Sequence, residues 1–147
     1  MSGNCLHYHY VVPGDDFTQA GMASSAVKQI LKQLGLDPQI VRRMSISLYE
    51  GEINMVIHAG GGEIDVGIDD EEITAVLTDQ GPGIEDIELA MQDGWSTATE
   101  QVRGLGFGAG MGLPNMKKYS DDLKIDTIVG AGTTVTIKVK INNSKTE

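Results

Sequence analysis

Glu63-Ile64-Asp65-Val66-Gly67-Ile68, then Asp69-Asp70-Glu71, then Ile73-Thr74-Ala75-Val76-Leu77-Thr78, and at once Asp79-Gln80-Gly81-Pro82-Gly83: this stretch decides how the chain folds. Ile64, Val66 and Ile68 share one face of a strand, because strand side chains alternate. The acidic triplet makes a turn, and residues 73 to 78 return as a second strand, so the pair reads as a hairpin. Asp79 ends that strand with glycines beside it. A carboxylate placed there can accept a hydrogen bond from an exocyclic amino group such as that of adenine. Asp-x-Gly-Pro-Gly is also good plain turn chemistry, so both readings stand at this point.

Toward the N-terminus, Cys5 to Val12 reads as a strand ending at Pro13-Gly14. Phe17, Ala20, Ala23, Val27, Ile30, Leu31 and Leu34 carry helical spacing, with Gly35 as the stop. Asp37 caps a second helix, with Pro38 in its first turn, and this helix runs to about His58, where Gly60-Gly61-Gly62 ends it. Toward the C-terminus lies a long glycine-rich stretch from Gly81 to Gly112, with a short helix expected over Ile84 to Met91. A third helix starts near Gly112 or Leu113 and reaches Tyr119. Leu123 to Val129 and Thr133 to Ile141 read as two strands around Gly130-Ala131-Gly132.

The order is strand, two helices, two strands, a long loop, a helix and two strands. It predicts an α+β fold in two layers, with about three helices on one face of a mixed, mainly antiparallel sheet. No repeat or linker divides the 147 residues, so a single domain over 1–147 is expected. A structureless loop beyond ~12–15 residues is uncommon unless it does something. The net charge of −10 repels nucleic-acid phosphates and anionic membranes, which excludes those partners. A small phosphate ligand answers instead to local backbone dipoles, and a triphosphate would arrive with a divalent cation. One cysteine, Cys5, allows no internal disulfide and fits a cytoplasmic location. Neither a membrane span nor a signal peptide is expected from the sequence.

Three groups of residues carry candidate chemistry. Gly104, Gly106, Gly108, Gly110 and Gly112 precede the helix start at Leu113-Pro114. Glycines admit close approach of a ligand, and a helix N-terminus offers unpaired N–H groups, so the segment reads as a phosphate cradle or as a flexible hinge. It matches neither a P-loop nor a Rossmann fingerprint. On the second helix, Glu50, Asn54 and His58 lie four apart on one face. Asn54 offers a neutral oxygen for Mg²⁺, and Glu50 one turn away can polarise a hydroxyl or water; a solvated polar stripe is the plainer reading. His58 could close the helix end, where a cation is favourable. Glu52 is expected to project elsewhere as a surface charge. Gly51 in a helix interior costs about 1 kcal/mol relative to alanine and suggests close packing. His7 and His9 share a strand face but lack a third metal ligand, Cys5 is expected to be inert, and Trp95 in the loop reads as a lid anchor or a partner contact.

Glu50-x-x-x-Asn54, then Asp79-x-Gly81-x-Gly83, then Gly108-x-Gly110-x-Gly112, then Gly132-Thr133, resembles the GHKL ATPase superfamily of gyrase, Hsp90, histidine kinases and MutL, which share the Bergerat ATP-binding fold. Each box is weak alone, but four in the right order across the chain are specific. Within that group the chain looks like the anti-sigma-factor and serine-protein switch kinases. Residues 79–91, 94–97 and 108–114 look most like the RsbT branch.

The resemblance implies a set of roles. Asn54 matches the Mg²⁺ ligand and Glu50 the catalytic carboxylate. Asp79 matches the adenine-reading acid, supported by Thr133 through water, with Gly81 and Gly83 shaping the pocket. Gly106, Gly108, Gly110, Met111, Gly112 and Leu113 fall at the phosphate-facing segment, His58 on the same nucleotide side, and Arg103 at the end of an ATP lid over about 84–110. Gly104 and Gly106 extend the glycine series beyond the usual box, which leaves two registers of phosphate contact. The implied cofactors are ATP and Mg²⁺. The implied activity is phosphoryl transfer to a serine or threonine of an STAS-domain antagonist or scaffold protein, with a sigma factor, a PP2C-type phosphatase and a homodimer as further partners. Two alternatives are a nucleotide-gated binding protein with little kinase activity and a stand-alone histidine-kinase-type catalytic domain.

Overall fold

The computed structural model describes residues 5–14, 17–84 and 112–141. Strand β1 is Leu6–Pro13. A single 3-10 turn, Phe17–Gln19, leads to helix α1, Met22–Gln33, and then α2, Pro38–Ala59. Strands β2, Gly61–Ile68, and β3, Glu72–Asp79, form the hairpin. Helix α3 is Gly112–Tyr119, followed by β4, Asp122–Ile128, and β5, Gly132–Lys140. The five strands form one sheet in the order β1-β2-β3-β5-β4. Every pairing among them is antiparallel, so the mixed character expected from the sequence does not occur among the described strands.

Alternation does most of the building. Ile64, Val66, Ile68, Ile73, Ala75, Leu77, Val135, Ile137 and Val139 point to one side and are buried. The helices cover that side: Val27 and Leu31 from α1, Met44, Leu48 and Val56 from α2, and Met116 from α3 join the same core. The other side carries Glu63, Asp65, Thr74, Thr134, Lys124 and Asp126.

The helix ends follow local rules with one exception. Asp37 accepts a hydrogen bond from Gln39 N at 2.8 Å, the expected cap of α2. Gly60, in the left-handed conformation, closes α2. The run expected as one helix from Phe17 to Leu34 is broken at Gly21, where φ is +96°, and α1 starts only at Met22. Gly21 has no side chain to cap α1. The cap comes from Glu52 on α2. Its Oε2 accepts from Gly21 N at 3.0 Å and Ala23 N at 3.2 Å, and its Oε1 from Ser24 N at 2.9 Å and from the Ser24 hydroxyl. Glu52 is therefore not a surface charge: it is 1% exposed and fastens α1 to α2.

Candidate functional site

Asp79 closes β3 at the point where β5 lies alongside. Register pairs it with Thr133, and both Gly81 N, at 2.9 Å, and Thr133 N, at 3.2 Å, donate to its Oδ1. Among the described residues no hydrogen bond falls on Oδ2. The surrounding backbone leaves almost no space. A Cβ on Gly132, whose φ is +142°, would lie 2.2 Å from Asp79 O, and one on Gly83, whose φ is +82°, would lie 2.7 Å from Ile128 O. Only glycine fits either position. Gly81 packs on α2, since a Cβ there would meet Ala59 Cβ at 2.6 Å. The nest is thus a crossing of β3, β5 and the C-terminal turn of α2.

Thr133 is 7% exposed and reaches Asp79 through its backbone N–H. Its hydroxyl pairs with the Thr127 hydroxyl at 2.9 Å, and Thr127 Oγ1 accepts from Ile84 N at 2.8 Å. Gly130 N donates to Pro82 O at 2.8 Å. The β4–β5 turn thereby holds the segment after Asp79 in place. Thr127 carries no signal in the sequence for its hold on Ile84, because that partner lies 43 residues away.

Glu50 and Asn54 sit one turn apart on α2, a rise of about 6 Å, both half-buried. Asn115, in the first turn of α3, donates from Nδ2 to Glu50 Oε2 at 3.3 Å. Burial lifts the Glu50 pKa above the usual carboxylate range, and the Asn115 bond pulls it back in part. Gly51 is why α3 comes this close: a Cβ there would meet Leu77 Cδ2 at 2.6 Å and Met116 Cε at 3.1 Å. His58 continues the face, and burial lowers its pKa, so the neutral ring is favoured over the helix-end cation expected from the sequence. Leu113 is buried at the base of α3, and Gly112 begins that helix. Arg103, Gly106, Gly108, Gly110, Met111, Trp95, the helix expected over 84–91 and the body of the lid lie outside the described residues.

The donor set suits a magnesium nucleotide. It offers a neutral amide oxygen at Asn54, a carboxylate one turn away, and a strand-end carboxylate with one oxygen that takes no hydrogen bond among the described residues. Among the described residues, no cluster of three or more His, Cys, Asp or Glu side chains forms a metal site of protein ligands alone. His9 is instead held by carboxylates, with Nδ1 2.6 Å from Asp65 Oδ1 and Nε2 3.5 Å from Glu63 Oε1.

A family model described as a histidine kinase-like ATPase domain matches residues 15–139. The chain belongs to the histidine kinase-like ATPase family. Membership makes ATP the nucleotide of this ATPase domain, and the neighbours agree with the anti-sigma and switch-kinase resemblance. The serine/threonine-protein kinase RsbT of Bacillus subtilis (strain 168) is 31% identical over 114 residues, 74% of this chain and 78% of that protein. An anti-sigma F factor of Caldanaerobacter subterraneus subsp. tengcongensis is 33% identical over 117 residues, 75% of this chain and 78% of that protein. The RsbU and RsbW domains of a Mycobacterium tuberculosis protein align with a TM-score of 0.61 over 92% of this ATPase domain. Identity there is 17% and this chain spans 32% of that one, so the likeness is one of fold. No helix among the described residues is long and apolar enough to cross a membrane.

Proposed function

We propose that this ATPase domain is a serine/threonine-protein kinase of a bacterial partner-switching module in the cytoplasm, and that its acceptor is a serine or threonine of an STAS-domain partner. A sigma factor or a PP2C-type phosphatase is a further partner in this reading. The observation that carries it is the half-buried Glu50, with its raised pKa, one helical turn from Asn54. That arrangement puts a base and a metal ligand on one face of a rigid helix, and positioning of this kind is most of what phosphoryl transfer asks of a protein.

Magnesium ATP, when bound, supplies the γ-phosphoryl group. Asp79 Oδ2 accepts the hydrogen bond of the adenine amino group, while Gly81 and Thr133 hold Oδ1. Asn54 offers its side-chain oxygen to the metal. The N-terminus of α3 offers unpaired backbone N–H groups to the phosphates. Glu50 takes the proton of the acceptor hydroxyl as its oxygen bonds to phosphorus and the bond to the β-phosphate oxygen breaks. A carboxylate whose pKa is raised is the stronger base for that step.

The test is transfer from [γ-³²P]ATP to purified STAS-domain proteins of the same organism, with Glu50→Gln and Asn54→Ala alongside wild type. Loss of labelled phosphoserine or phosphothreonine in both variants is expected. Equal labelling by wild type and both variants would sink the mechanism. Tight nucleotide binding without any phosphoprotein would instead point to a nucleotide-gated binder.

A further inference from the structure

Helix α3 and the turn after it are fastened along α2 at several points. The Arg42 guanidinium lies 5.4 Å from the centre of the Tyr119 ring, and Arg43 Nη2 lies 3.0 Å from Oδ1 of Asp121 in the turn that follows α3. The Ser47 hydroxyl donates to Met116 O at 3.5 Å, and Gly51 admits the Met116 side chain. Asn115 immediately precedes Met116, so its position against α2 is set by this packing. Its amide nitrogen reaches Glu50 Oε2 at 3.3 Å. Among the described residues, no hydrogen bond falls on Oε1.

We propose that Asn115 is a positioning residue for transfer: by tying Glu50 Oε2 to α3, it leaves Oε1 as the oxygen that receives the acceptor's proton. The inference rests on the kinase reading above. In the transfer step the acceptor oxygen bonds to the γ-phosphorus, the bond to the β-phosphate oxygen breaks, and the hydroxyl proton passes to Oε1. An unfixed carboxylate rotates and offers either oxygen, which spoils the near-attack geometry without touching nucleotide binding. Packing on rigid helices is what makes a single amide effective here.

The experiment compares wild type, Asn115→Ala and Asn115→Asp in the full chain. It measures kcat and KM for MgATP in transfer to the labelled acceptor, MgADP binding by calorimetry, and the ¹³C resonance of the Glu50 carboxyl. Removal of a hydrogen bond to a charged group predicts a fall in kcat of about tenfold for Asn115→Ala. Asn115→Asp sets a second carboxylate against the first and falls further. KM and MgADP affinity stay within about twofold, because the lost interaction is not one of ground-state binding. The Glu50 resonance moves in both variants. Variants with wild-type kcat, or an unmoved Glu50 resonance, overturn the positioning role and leave the kinase reading intact. Equal losses in kcat and MgADP affinity mean a merely structural role and also overturn it. A wild type that transfers nothing, with the Glu50 resonance still shifting in the variants, overturns both.

Discussion

Replacing Glu52 with alanine should be the most damaging single change to a charged residue among the described residues. The side chain is 1% exposed and satisfies three backbone N–H groups and the Ser24 hydroxyl. Alanine would orphan the buried amides of Ala23 and Ser24 and remove the side-chain cap that Glu52 gives α1. A lost cap costs about 1–2 kcal/mol. Each buried donor left unsatisfied adds about 1–3 kcal/mol, and such terms do not sum fully. The loss should therefore be about 3–5 kcal/mol, out of a total of about 5–15 kcal/mol for a domain. At about 2–4 °C per kcal/mol for a chain of this size, the melting temperature should drop by about 10 °C. Urea unfolding gives the free energy, and hydrogen exchange should show α1 losing protection ahead of the sheet. Ser24→Ala, which removes one of the four bonds, should cost about 1 kcal/mol. Glu63→Ala, on the exposed face, should stay within about 0.5 kcal/mol. If Glu52→Ala lost less than about 1 kcal/mol, the clasp between α1 and α2 would not exist as described.

Asp79→Asn keeps the Oδ1 acceptor for Gly81 and Thr133 but turns the other position into a donor; calorimetry should show ATP affinity falling by about ten- to a hundredfold with the fold intact, and unchanged affinity would remove adenine from Asp79. Gly132→Ala should destabilise by about 2 kcal/mol or more, since backbone rather than a flexible tip fills the space, and a wild-type urea midpoint would contradict this. His9 has a pKa raised above 6.5, first by its hydrogen bond to Asp65. Its stabilising contribution is thus fully present below pH 6.5 and disappears as pH rises through the folded value. Melting temperatures of wild type and Asp65→Asn should differ more at pH 5.5 than at pH 8, and a constant difference would rule this out.

Most of the elements were legible in the sequence because their signals are local. Period-two alternation at Ile64, Val66 and Ile68 places the hairpin, the Asp37-Pro38 pair starts α2, and Gly60 ends it. Helical phase also separates Glu50 from Glu52, since two helix positions turn by about 200°. Phase says that the two carboxylates face different ways, but not which way is solvent.

That was decided by where α1 docks. An uncapped helix start beginning at Gly21 drew Glu52 inside, because buried N–H groups must find an acceptor. Likewise, alternation marks β5 as a strand but not as the neighbour of β3. Only that pairing sets Thr133 N against Asp79 and the Thr127 hydroxyl against Ile84. Asn115 meets Glu50 across 65 residues of sequence because Gly51 lets two helices touch. The sequence by itself determined the elements and the order of the glycine and acid boxes, which depend on neighbours a few residues away. The tertiary structure alone decided which polar groups face one another, because hydrogen bonding acts over about 3 Å of space whatever the distance along the chain.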